Sequence, residues 1–115
     1  MKIDLHIHTS TGSDGALAVE EVFAEAARRG IELISITDHD SIAAQEAAVE
    51  LARKYGMAYV TGVELNVTFP SPKTGRSVSL DFLGYRFDFH DHALVERLET
   101  MRQHREWRAR EILKK

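Results

Sequence analysis

The sequence has no cysteine. Disulfides, thiolate nucleophiles and cysteine metal sites are therefore excluded. Proline occurs only twice in 115 residues, and no linker, internal repeat or low-complexity tract interrupts the chain. An excess of positive charge is also missing: 15 Lys and Arg stand against 18 Asp and Glu, a net charge of -3. That balance argues against a general nucleic-acid-binding surface. The N-terminus has no apolar run of signal-peptide length, and no segment is long enough to span a bilayer. A cytoplasmic location without a membrane partner is the default expectation. What remains is ordinary for a soluble globular protein, 43% hydrophobic and 29% charged, with room for one small domain.

Residues 2–8 (KIDLHIH) alternate, with Ile3, Leu5 and Ile7 on one face and Asp4, His6 and His8 on the other. Period two predicts a strand, so the side chains of His6 and His8 point the same way. The Gly, Ser and Asp of TSTGSDGA predict a loop. Residues 18–29 place Val19, Val22, Phe23, Ala26 and Ala27 on one helical stripe, and Gly30 reads as its C-terminal stop. A buried strand is predicted over 31–37, and a helix over about 42–55 with Ser41 as N-cap and Gly56 as stop. Residues 57–69 and 78–88 read as two further strands joined by a turn that holds both prolines. Residues 92–114 read as one long helix, with few apolar positions among many charges.

The order β-α-β-α-β-β-α predicts an α/β fold whose first strands are parallel with right-handed crossovers. The third and fourth strands are candidates for antiparallel neighbours. No element follows the last helix to cover its apolar side, so the chain reads as the first part of a larger fold.

The ionisable residues gather at the strand ends. His6 and His8 close the first strand, Asp38, His39 and Asp40 follow the second, Glu64 lies in the third and Asp81 in the fourth. In a parallel α/β sheet or barrel the C-terminal strand ends share one face, where sites form. Imidazoles mixed with carboxylates suit divalent metals, because carboxylates add charge and can bridge two ions. Any one of these residues alone is as readily a hydrogen-bonded core group. Several buried carboxylates together call for a counter-charge, which a cation supplies.

Asp4-x-His6-x-His8, Thr37-Asp38-His39-Asp40, Gly62-Val63-Glu64 and the Leu83-Gly84-Tyr85 strand together resemble the PHP (polymerase and histidinol phosphatase) family. The late helix resembles that of the bacterial branch acting on nucleoside bisphosphates and short RNA 5′ ends. The resemblance implies a distorted (β/α)7 barrel with up to three metal ions (zinc, manganese, iron or magnesium) at its C-terminal rim. It implies that His6 and His8 bind the first metal, that Glu64 bridges the first and second, and that Asp14 and His39 belong to the third. Asp38, Asp40 and Asp4 would support these ligands. The implied activity is hydrolysis of a phosphomonoester or nucleotide phosphate by metal-activated water. The partner would be a phosphorylated small molecule, a nucleotide or a short oligonucleotide.

Two departures stand out. Asp81 occupies a position where the family usually has His; it can still ligate, with shorter reach, and favours a harder metal such as manganese or magnesium. The family's remaining ligands, a later His and a terminal Asp-x-His, come from the second half of a full-length domain. His90, His92 and His104 lie in other contexts and read as surface histidines. Arg102, Arg105 and Arg108 share a helix face and could clamp a phosphate. Their ordinary alternative is a solvated face paired with Glu99, Glu106 and Glu111. The competing readings are therefore a phosphoesterase, a metal-binding but catalytically incomplete PHP fragment, and a homo-oligomer in which half-barrels pair.

Overall fold

A computed structural model describes residues 1–114. Three short strands, β1 (Ile3–Asp4), β2 (Leu33–Ile34) and β3 (Ala58–Tyr59), form a parallel sheet in the order β1-β2-β3. Helices α1 (Val19–Arg28) and α2 (Gln45–Tyr55) make the two crossovers. A nine-residue antiparallel pair follows, β4 (Gly62–Pro70) with β5 (Ser77–Tyr85), and then α3 (His92–Leu113).

One core joins the sheet to α1 and α2. Val19, Val22, Phe23 and Ala26 of α1 meet Ile34 and Ile36 of the second strand region and Ala48 and Ala52 of α2. Burying Phe23 completely contributes roughly 1.5–3 kcal/mol by its apolar area. Ala27, predicted to share this stripe, is exposed. Gly30 and Gly56, at φ 74° and 69°, end the two helices as the sequence predicts. α2 begins three residues later than expected. Ser41 Oγ accepts from Ala43 N at 3.3 Å and so caps the preceding turn, leaving Ala44 at the N-cap position.

The predicted third strand, 57–69, is two strands rather than one, which makes eight elements instead of seven. The chain changes partner there: Val60 N donates to Ile34 O at 3.1 Å, whereas Thr61 O accepts from Arg86 N at 3.0 Å. Gly62 sits at the switch because the backbone passes close to β2. A Cβ there would lie 2.2 Å from Ser35 Oγ.

β4 stays tied to the parallel layer at one place. Glu64 N donates to Asp38 O at 3.0 Å and Asp40 N to Glu64 O at 2.8 Å, so His39 and Glu64 stand side by side. Only Leu98 of α3 is buried, consistent with the scattered apolar residues of that helix. Among the described residues no helix is long and apolar enough to cross a membrane.

Candidate metal centre

Four side chains converge where the strands end. His6 and His8 leave the first strand region on the same side, as their alternation predicts, and both reach Glu64. His6 Nε2 is 2.6 Å from Glu64 Oε1, and His8 Nε2 is 3.4 Å from Oε2. His39 Nδ1 approaches the same Oε2 at 2.8 Å. The rings of His8 and His39 are 4.2 Å apart between centroids. Asp14 completes the group from the loop before α1: Oδ1 lies 3.3 Å from His8 Nδ1 and Oδ2 lies 3.7 Å from His39 Nε2. Two ligand sets result, His6–His8–Glu64 and His8–Asp14–His39, sharing His8.

This donor set fits a divalent cation. Glu64 is 4% exposed, and among the described residues its ion-pair partners are imidazoles alone, with no Lys or Arg. His8 Nε2 is buried without a hydrogen-bond partner although it faces a carboxylate oxygen. Two acceptor-capable atoms facing each other without a hydrogen bond are satisfied by a cation between them.

The surrounding hydrogen bonds hold these groups. Asp38 is fully buried and accepts from Thr9 N at 2.6 Å, Thr9 Oγ1 at 2.8 Å and Ser13 Oγ at 2.7 Å. It thereby fixes the loop that carries Asp14. Gly12 is required where this loop crosses Asp38, since a Cβ there would lie 2.2 Å from Asp38 Oδ2. Asp40, also buried, sits at φ 48° and pairs with Arg105 of α3. Asp4 Oδ1 accepts from His6 N at 3.2 Å.

Asp81 lies on β5 opposite Asn66, whose Nδ2 donates to it at 2.9 Å, and it belongs to neither ligand set. Nor do His90, His92 and His104. Arg102 and Arg105 line a cleft of about 460 Å³ beside Asp14 and His39. Arg102 stands 3.6 Å from Glu99, whereas Arg105 pairs across the fold with Asp40 rather than with a helix glutamate. Arg108 faces a neighbouring groove with Asn66 and His104.

One supporting residue has no signal in the sequence pattern. Gln45 is fully buried at the start of α2. Its Nε2 donates to Ile36 O at 3.0 Å and Gly62 O at 2.9 Å, and its Oε1 accepts from the Tyr59 hydroxyl at 2.6 Å. It locks the strand switch just ahead of Glu64. Burial pushes the Tyr59 phenol above its ordinary range, which keeps it a donor here.

Known proteins resemble this chain along nearly its whole length. The PHP domain matches residues 4–109. A 5′-3′ exoribonuclease of Haemophilus influenzae is 34% identical over 96% of this chain and 38% of its own length. A 3′,5′-nucleoside bisphosphate phosphatase of Chromobacterium violaceum is 36% identical over 96% of this chain and 36% of its own length. A solved amidohydrolase of Chromobacterium violaceum, with bound sulfate and no metal, superposes with a TM-score of 0.84 at 36% identity, covering 96% of this chain and 37% of that one. The chain thus spans little more than a third of the length of these relatives.

Proposed function

The chain belongs to the PHP domain family, and from that premise we propose that it carries the metal-binding part of a phosphoesterase acting on nucleotide or oligonucleotide phosphates. In this reading it is the first part of a distorted (β/α)7 barrel. The observation that carries the proposal is the buried Glu64 carboxylate met by three imidazoles and, among the described residues, by no other cationic partner.

His6, His8, His39 and Glu64 hold divalent ions of the zinc, manganese, iron or magnesium class, with Asp14 closing the set on the cleft side. A divalent ion bound there supplies a water of lowered pKa and a positive field at the phosphoryl oxygens. Asp38 holds the Asp14 loop in place. Arg102 lines the cleft and offers a planar donor pair to a phosphate. Arg105, anchored on Asp40, lines the same cleft, and Arg108 continues the basic face. Asp81 is held by Asn66 and stands outside both ligand sets.

The test is hydrolysis of an aryl phosphate and of a nucleoside 3′,5′-bisphosphate with added manganese. Turnover that is lost on His8→Ala is the expected result. A second reading is favoured by ligand count: the two sets supply only three side chains each and share one. This chain would then bind metal without turnover, and bound metal with no hydrolysis of either substrate would select that reading.

A further inference from the structure

β1 was predicted to run to residue 8, yet its regular pairing stops at Asp4. The hydrogen bonds show why. Ser35 N donates to Asp4 O at 3.0 Å, and the next strand-to-strand bond runs from Thr37 N to Ile7 O at 2.7 Å. Two residues on one strand thus face three on the other, which is a bulge with Leu5 and His6 at its crest. Bulges of this kind re-aim a side chain next to functional sites.

The peptide between Leu5 and His6 is consequently bonded outside the sheet, at both of its polar atoms. Its N–H, on His6, donates to Asp4 Oδ1 at 3.2 Å. Its carbonyl, on Leu5, accepts from the Tyr85 hydroxyl at 2.6 Å, across 80 residues of chain. Tyr85 is the last residue of β5, opposite Gly62 in the ladder that also sets Glu64 against Leu83. The hairpin that delivers Glu64 therefore also delivers the hydroxyl that holds its partner.

We propose that Tyr85 is a positioning residue for His6: its hydroxyl pins the bulged Leu5–His6 peptide and so aims the His6 imidazole at Glu64. This rests on the metal-site reading above. Partial burial and the nearby carboxylates of Asp4 and Glu64 raise the Tyr85 phenol above its ordinary range, so it remains a donor at neutral pH. Tyr85→Phe removes the donor and keeps the ring.

Cobalt(II) is the probe, its affinity measured by competition with a chelator and its geometry by visible absorption. The proteins are wild type, Tyr85→Phe, His6→Ala and the double variant. Tyr85→Phe is expected to weaken cobalt binding by about 10- to 100-fold, the range seen when a partner that orients a ligand is removed. The visible band should change shape, and the His6 ring resonances of the metal-free protein should shift while those of His39 stay. In the His6→Ala background the same substitution is expected to change affinity within about twofold. Wild-type affinity in Tyr85→Phe would overturn the inference while leaving the metal site standing. An equal loss in the His6→Ala background, or an unfolded Tyr85→Phe protein, would make Tyr85 a general support and overturn it as well. A wild-type chain that binds no cobalt would overturn the metal-site reading, and the inference with it.

Discussion

Removing the Asp38 carboxylate separates the strength of the loop anchor from any role in metal binding. Its two oxygens accept three short hydrogen bonds, two from Thr9 that are buried and one from the half-buried Ser13. Hydrogen bonds to a charged group are each worth about 1.5–3 kcal/mol, but three on one carboxylate are not additive. Asp38→Ala also strands the buried Thr9 N–H, so the loss is about 4–5 kcal/mol. That is a large part of the roughly 5–15 kcal/mol available to a small domain. Asp38→Asn keeps an oxygen for Thr9 N and Ser13 Oγ and turns an amide toward Thr9 Oγ1, which can accept it. Its cost should fall to about 1–2 kcal/mol. Urea unfolding of the metal-free proteins, followed by circular dichroism, measures both. An Asp38→Ala loss under about 2 kcal/mol, or no gap between the two variants, would refute the anchor.

Other consequences follow from the same contacts. Gly62→Ala forces a Cβ against Ser35 Oγ and Thr37 Cγ2, at 2.2 and 2.7 Å, and should cost about 1–3 kcal/mol while displacing Glu64, read as lower stability together with weaker metal binding. Arg105→Ala leaves the buried Asp40 carboxylate unpaired; because Arg105 is itself half exposed, the loss should be about 1–2 kcal/mol, with faster amide exchange along α3. The Tyr59 phenol titrates above its ordinary value of 10.0 in the folded chain, so the unfolded chain loses that proton first. The stability it gives is complete below about pH 10 and declines as pH rises further, and Tyr59→Phe should remove part of that decline from urea midpoints taken at successive pH values.

The parts legible in the sequence are those with a local cause. Alternation from Lys2 to His8 predicts both imidazoles on one side, and both meet Glu64 although the regular strand ends at Asp4. The Val19–Val22–Phe23–Ala26 stripe gives α1 its buried face, and Gly30 and Gly56 give both helix stops. Glu64 reads from the sequence as part of the third strand; the structure brings it to His39 through an isolated parallel bridge from β4, outside the three-stranded sheet. What was not legible depends on partners far apart in the chain. Nothing near Tyr85 announces that its hydroxyl reaches Leu5, and nothing near Asp40 announces Arg105. Gln45 looks like a helix-surface amide; only the fold places it between Ile36, Tyr59 and Gly62. The split of the third strand did have a local trace in Gly62, but its cause is the close passage of Ser35.

Metal content tests the central claim most directly. Elemental analysis of the purified chain, after incubation with zinc or manganese and removal of the excess, should find at least one divalent ion per chain in wild type. It should find that ion lost in His8→Ala, because His8 belongs to both ligand sets. A wild-type chain that retains no divalent ion, or a His8→Ala chain that retains as much as wild type, would contradict the account.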